Sequence, residues 1–252
     1  MGFFLKPEHS RASEAIMTPM FDCIMPAAGA SSRMRASASS AGEAPRAEDA
    51  PNGGFKPLLP FGGSTLVEAA AAAALGAGCR LILVVGHRGD EVAALFSAER
   101  YREAREAGRI VAVRNARWED GLLGSIQSAL PLVRSEAYFI AHADMPFLRP
   151  EDYRALAEAR ARAADRVGAA SAADKVGAAN ALAGEIAFVA SCGGRRGHPV
   201  LLPASWAAEM SALPKADGLK AYLAGKSCEL VEIGSAALCD IDTPGDYERA
   251  LR

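Results

Sequence analysis

The sequence predicts an α/β fold, a three-layer sandwich around a central, mostly parallel sheet with a Rossmann-like N-terminal half. Three observations predict it. Short apolar, β-branched runs recur along the chain, helical patterns fall between them, and a turn of small residues follows the first run at once. Strand and helix patterns in alternation mark βαβ units and a parallel sheet.

In chain order, the expected strands are Asp22–Met25, Arg80–Val85, Ile110–Arg114, Ala137–Ala141, Ile186–Ala190, Val200–Leu202 and Glu229–Ile233. Between them lie the helical patterns "STLVEAAAAAALGAG", "DEVAALFSAERYREAREAG", "LLGSIQSALPLV", "PEDYRALAEARARAADR", "ASWAAEMSAL", "DGLKAYLAG" and "TPGDYERALR". Several carry start signals: Ser64 as an N-cap ahead of Leu66, Pro150 followed by Glu151 and Asp152, and Thr243-Pro244 before Asp246. Residues 36–54, "ASASSAGEAPRAEDAPNGG", have no apolar period and read as a flexible insertion. "GAASAADKVGAANALAG" reads equally as a helix extension or a loop. The expected organisation is an N-terminal extension over 1–20 and one domain over 21–252 that carries the insertion.

Composition narrows the partners. The 252 residues are half hydrophobic with a formal net charge of −2, so no field of one sign dominates and nucleic acid is disfavoured. The five cysteines, Cys23, Cys79, Cys192, Cys228 and Cys239, form no C-x-x-C pair, which argues against a disulfide framework or a zinc site and for a reducing cytoplasm. The first apolar patch, broken by Lys6, Glu8 and Arg11, is too short for a signal peptide, and no window suits a membrane span.

The small-residue turn Ala28-Gly29-Ala30-Ser31-Ser32 stands at the carboxyl end of the first strand, where open α/β sheets bind ligands. Backbone N–H groups free of bulky Cβ atoms converge on phosphate oxygens, and Arg33 adds charge-assisted hydrogen bonds. A tight strand-to-helix turn without a ligand has the same composition. "GASSRM" lacks the later glycines of a dinucleotide fingerprint, and Gly225-Lys226-Ser227 has Lys220 where a Walker loop needs glycine.

The turn, followed by Lys56 in "GGFKPLLPFGGSTLVE", resembles the nucleotide signature of the nucleotidyltransferase superfamily, L-x-A-G-x-S-x-R-M-G-x-x-K. Arg35 stands where that pattern has glycine, and the insertion parts Arg33 from Lys56. "AYFIAHADMPFL" resembles the superfamily's metal aspartate, which gives Asp144; a turn aspartate before Pro146 is the plainer reading. "ALCDIDTPGDYERAL" resembles its closing motif, with Asp242 as second carboxylate, Asp240 as competitor and Asp246 as a helix first-turn charge. "NARWEDGLLGSIQSAL" is similar to a pattern of the molybdenum cofactor cytidylyltransferase branch, which assigns Asn115, Trp118, Gly121, Gly124 and Ser125 to the nucleobase side. "GGRRGHPVLL" is similar to the branch's acceptor-side segment, giving Gly194, Gly197, His198 and Pro199, with Arg195 and Arg196 facing an anionic pterin phosphate.

The resemblance implies a nucleotide-diphospho-sugar transferase type of fold and transfer of CMP from CTP to the terminal phosphate of a molybdopterin-type cofactor. Pyrophosphate leaves, Mg²⁺ is the cofactor, and a molybdoenzyme or its chaperone is the further partner. In that scheme Ala28 to Ser32 cradle phosphates, Arg33 and Lys56 neutralise charge, Asp144 and Asp242 hold the metal, and Gly121, Ser125 and His198 border base and acceptor. Use of another nucleotide or a sugar or alcohol phosphate acceptor, or a non-catalytic cofactor carrier, are the competing expectations.

Overall fold

The computed structural model describes residues 21–31, 34, 51–171, 185–214 and 218–252. The expected extension over 1–20, residues 36–50 of the insertion and residues 172–184 of the low-complexity stretch lie outside the described residues. The strands are β1 (Asp22–Ala27), β2 (Pro60–Phe61), β3 (Ser64–Thr65), β4 (Arg80–Val85), β5 (Ile110–Arg114), β6 (Ala137–Ile140), β7 (Ala187–Cys192), β8 (Arg195–Pro203) and β9 (Cys228–Glu232). The helices are α1 (Leu66–Gly76), α2 (Gly89–Leu95), α3 (Arg102–Glu106), α4 (Gly121–Ala129), α5 (Pro150–Ser171), α6 (Ala207–Ala212), α7 (Gly218–Ala224) and α8 (Pro244–Ala250).

Seven strands form one sheet in the order β5-β4-β1-β6-β8-β7-β9, while β2 and β3 make a separate small hairpin. Pairings are parallel except for β6 with β8 and β7 with β8. Both faces of the central strands are buried, so the side-chain alternation of a strand divides its apolar residues between two cores. Cys23, Met25, Leu81, Leu83 and Phe139 face α1 and α5 in one core. Ile24, Ile82, Val84, Tyr138 and Ile140 face α4, α6 and α7 in the other. The run of alanines in α1 is what lets that helix lie close on the sheet: Ala70, Ala71, Ala73 and Ala74 are all buried there. Among the described residues, no helix is long and apolar enough to cross a membrane.

Several elements differ from expectation for identifiable reasons. β1 continues through Pro26 to Ala27; its ladder to β6 has already ended at Ile24–Ile140, so a residue without an amide hydrogen is tolerated there. The N-cap of α1 is Thr65 rather than Ser64, because Thr65 and Glu68 close a capping box in which the Thr65 N–H donates to Glu68 Oε2 at 3.1 Å. The single helix expected from Asp90 to Gly108 breaks into α2 and α3. Phe96 and Tyr101 stack with centroids 5.0 Å apart, and residues five apart on a continuous helix point away from one another.

The largest difference is β8. The strand expected over Val200–Leu202 begins at Arg195, because Gly193 (φ 55°) and Gly194 (φ 77°) form a two-residue hairpin turn that pairs Cys192 with Arg195. Gly197 and His198, expected in an acceptor-side segment, therefore sit in a strand. A Cβ on Gly197 would lie 2.0 Å from the Ala237 carbonyl oxygen, so glycine is what allows the turn over Ser235–Leu238 to rest on β8.

At the amino end of the sheet, one buried ion pair ties three segments together. Asp22 Oδ1 accepts from Arg80 Nε at 2.6 Å, and Oδ2 accepts from the N–H groups of Arg134 and Ser135 at 2.6 and 2.9 Å. Burial alone would raise the Asp22 pKa, but Arg80 and these donors outweigh it and hold it below the ordinary 3.8. The stabilisation is therefore fully present above that value and lost as pH falls through the folded-state pKa. Asp22→Asn is expected to cost about 3 kcal/mol near neutral pH. The gap to wild type should narrow as the pH drops below 3.8, read by chemical denaturation at a series of pH values. Gly197→Ala is expected to cost about 1–3 kcal/mol in the same assay, through forced separation of β8 from the Ser235–Leu238 turn.

Candidate functional site

From β1 the chain crosses to β4 on one side, and β6 later adds to the other side of β1. The direction of winding thus reverses between β1 and β6, and open α/β sheets form their binding crevice at the carboxyl ends of such a strand pair. A cavity of about 450 Å³ opens there. Its floor and walls come from the segment after β1, the segment after β6, the Lys56 turn, the start of α4 and Asp242.

Ala28, Gly29, Ala30 and Ser31 line the cavity. The base of this turn is fixed by the His87 N–H, which donates to the Ala28 carbonyl at 3.0 Å. Gly86 makes the fit possible, since a Cβ there would stand 2.5 Å from Trp118 Cβ and 2.9 Å from Ala28 Cβ. At Gly29 the situation is reversed: an added Cβ would meet no atom within 4 Å, so the protein's own packing does not require glycine at this lining position. Ser31 takes a left-handed backbone (φ 56°) and its Oγ accepts the Lys56 N–H at 3.0 Å. Ser32 and Arg33, expected to complete the phosphate cradle, lie outside the described residues.

Lys56 follows the buried Phe55 and precedes the buried Pro57 and Leu58 in a single 3-10 turn, Lys56–Leu58. Phe55 is packed edge-on to His87 at 5.4 Å. Beneath the site, Met34, Leu59, Leu66 and Ile241 form a small cluster of their own, which joins the first turn, the lysine segment and the closing motif. The main chain at Lys56 is therefore held on all sides, and its side chain is directed at two carboxylates.

Lys56 Nζ donates to Asp144 Oδ2 and to Asp242 Oδ1, each at 2.7 Å. Burial alone would lower the Lys56 pKa, but the two carboxylates outweigh it and raise it above the ordinary 10.5. Asp144, near the middle of the domain sequence, and Asp242, near its end, meet because the Ile241 N–H donates to the Asp144 carbonyl at 2.9 Å. The backbone of Asp242 is fixed in turn by Asp246, whose Oδ2 accepts from the N–H groups of Asp242 and Thr243 at 3.2 and 2.8 Å. Asp246 is thus the capping-box carboxylate of α8. Asp240, the competitor for the second carboxylate, is exposed and makes no bond to Lys56. Burial, then the charges of Asp242 and Asp144, raise its pKa. Asp144 Oδ1 is buried with no hydrogen-bond partner among the described residues.

The opposite wall is the Trp118–Ser125 segment. Trp118, Gly121, Leu122 and Ser125 line the cavity, whereas Gly124 is buried behind them. Asn115 is buried as well: its Nδ2 donates to Ser125 Oγ at 3.1 Å, and its Oδ1 accepts the Arg117 N–H at 3.0 Å, fixing the turn that leads into α4. Gly121 has φ 90°, which a side chain would resist.

On the remaining side, His142 lines the cavity and stacks on His198, ring centroids 3.9 Å apart. Burial, with the Lys56 charge, pushes His142 down to about 4. Burial and then His142 push His198 to about 3, so both rings are neutral near neutral pH. His198 reaches the site only through His142; the exposed Arg195 and Arg196, at the hairpin tip, do not line the cavity. Sequence reasoning did not single out His142, although it stands two positions before Asp144, just past the end of the same apolar strand. Among the described residues, no three His, Cys, Asp or Glu side chains cluster so as to hold a metal ion by themselves.

Comparison with known proteins identifies relatives of the whole chain. The sequence is 28% identical over 227 residues to the molybdenum cofactor cytidylyltransferase of Escherichia coli K12, covering 90% of this chain and 93% of that one. Its fold is similar to a nucleotidyl transferase from Methanothermobacter thermautotrophicus, with a TM-score of 0.66 and 22% identity over 93% of this chain and 97% of the other. It is also similar to Rv0371c from Mycobacterium tuberculosis H37Rv, with a TM-score of 0.63 and 21% identity over 93% and 99% of the two chains. The sequence profile of the MobA-like NTP transferase domain matches residues 23–232, from the second residue of β1 to the last of β9. With that match spanning the sheet and every lining residue of the cavity but Asp242, the chain belongs to the family of MobA-like NTP transferase domains.

Proposed function

We propose that the protein transfers CMP from CTP to the terminal phosphate of a molybdopterin-type cofactor, with release of pyrophosphate. Family membership makes it a nucleotidyltransferase. The observation that carries the finer reading is the convergence of a small-residue turn, one lysine and two aspartates on one cavity, in a chain 28% identical to a molybdenum cofactor cytidylyltransferase.

The chemistry forms a bond from the acceptor phosphate oxygen to the α-phosphorus and breaks the bond from that phosphorus to the pyrophosphate oxygen. A phosphate is already a nucleophile at neutral pH, so the protein supplies position and positive charge rather than a covalent intermediate. The backbone N–H groups of Ala28 to Ser31 would hold phosphate oxygens, in space left open where a Cβ at Gly29 would stand. Lys56, and Arg33 by the resemblance, would neutralise the charge that gathers on the leaving pyrophosphate. Gly121 and Ser125 would border the base, with Trp118 as a flat apolar wall. The neutral His142, held by His198, would face the acceptor without adding charge.

Asp144 and Asp242 would hold Mg²⁺, which when bound supplies Lewis-acid polarisation of the phosphoryl oxygens. The residues fit such an ion: Mg²⁺ commonly takes one or two protein carboxylates and completes its shell with water and substrate phosphate. Asp144 also has a buried oxygen free of hydrogen bonds among the described residues.

The test is pyrophosphate release with each of the four common nucleoside triphosphates, crossed with molybdopterin, a sugar phosphate and an alcohol phosphate in the presence of Mg²⁺. CTP with molybdopterin should be the fastest pair. A different fastest pair would reassign the substrates, and no release with any pair would favour a cofactor carrier. Asp144→Asn should lower turnover by about 100-fold or more while unfolding as cooperatively as wild type.

A further inference from the structure

Lys56 is bonded twice, at 2.7 Å, to the two side chains that the preceding reading gives to the metal. We propose that in the nucleotide-free protein the Lys56 ammonium is a resident counter-ion of Asp144 and Asp242, so that a divalent cation binds these carboxylates more tightly once a nucleotide draws the lysine away. The inference rests on the assignment of Asp144 and Asp242 as metal ligands.

The argument is one of space and charge. Asp144 and Asp242 are only 22% and 29% exposed and the Lys56 side chain 14%, so the three charges interact with little screening by water. Two carboxylate oxygens that share one nitrogen at 2.7 Å are no farther apart than twice that distance, and the nitrogen fills the interval. A second cation placed there would meet the ammonium at close range, a repulsion that offsets much of what the carboxylates offer.

The lysine has somewhere else to go. Its main chain is fixed by the Ser31 hydrogen bond and by buried Pro57 and Leu58, so only the four-carbon stem can move. The backbone anchored in this way borders the Ala28–Ser31 turn, and both line the same cavity. Phosphates bound at that turn would offer the ammonium a stronger anion than the carboxylates it leaves. Lys56 thereby acts as a positioning residue before it acts on substrate: it keeps the carboxylates from Asp144 and Asp242 together while the cavity is empty. By linkage, whatever favours release of Lys56 also favours entry of the metal, and the converse holds equally.

The probe is Mn²⁺ alone, titrated into nucleotide-free protein with free Mn²⁺ read by electron paramagnetic resonance. Lys56→Met should bind Mn²⁺ about tenfold more tightly than wild type, within the ordinary range for coupled sites. Lys56→Arg, which keeps the cation, should bind no more tightly than wild type. Adding Asp144→Asn to Lys56→Met should abolish the gain. Should Lys56→Met fail to unfold cooperatively, Lys56→Gln takes its place and must show the same gain. Equal Mn²⁺ affinity in wild type and the neutral variant, or a gain that survives loss of the Asp144 carboxylate, overturns the proposal. Because no nucleotide is present, inactivity with CTP would end the functional reading and leave this measurement standing. An active wild-type enzyme whose neutral variant shows no gain would end this inference alone.

Discussion

The site depends on a single ammonium group held between two carboxylates. Lys56, Asp144 and Asp242 arrive from three remote stretches of chain, and the two 2.7 Å bonds at Lys56 Nζ are where those stretches are brought into register. This cluster of charged side chains lines the same cavity as the small-residue turn Ala28–Ser31.

The sheet makes that meeting geometrically necessary. Because β1 lies between β4 and β6, the segments that leave the carboxyl ends of β1 and β6 must pass beside one another. The Ile241–Asp144 backbone bond then draws the closing motif onto the same edge, and the capping box of α8 fixes the Asp242 main chain. At the far end of the strands, Asp22, Arg80 and Ser135 anchor β1, β4 and the approach to β6, so the strands are pinned at one end and present their loops at the other. The rigid part and the chemical part occupy opposite edges of one sheet.

Much of this was legible in the sequence, and the exceptions have physical causes. The central strands were readable because burial on two faces turns them into unbroken apolar runs, as Arg80–Val85 illustrates. The turn after β1, Lys56, Asp144 and Asp242, singled out by a resemblance in motif order, do meet at one cavity. The break between α2 and α3 was not legible, since it arises from Phe96 meeting Tyr101, a contact that periodicity cannot express. Thr65-x-x-Glu68 was present as a capping box, but the adjacent Ser64 offered an equally plausible cap; the choice is made by Ser64 donating to Phe61 within the β2–β3 hairpin. His142 escaped notice because its partner is a ring on a distant strand, and no local spacing announces that His198 will lie against it.

The hydrogen bond from the Lys56 N–H to Ser31 Oγ has a consequence for how this chain can vary. It holds Ser31 and Lys56, 25 positions apart in sequence, one hydrogen bond from each other. The entropy of closing a loop rises only with the logarithm of its length, each doubling adding about 0.6 kcal/mol. By that arithmetic, descendants of this sequence could change the number of residues between Met34 and Phe55 at small entropic cost, provided those two apolar anchors and the Ser31–Lys56 bond are kept.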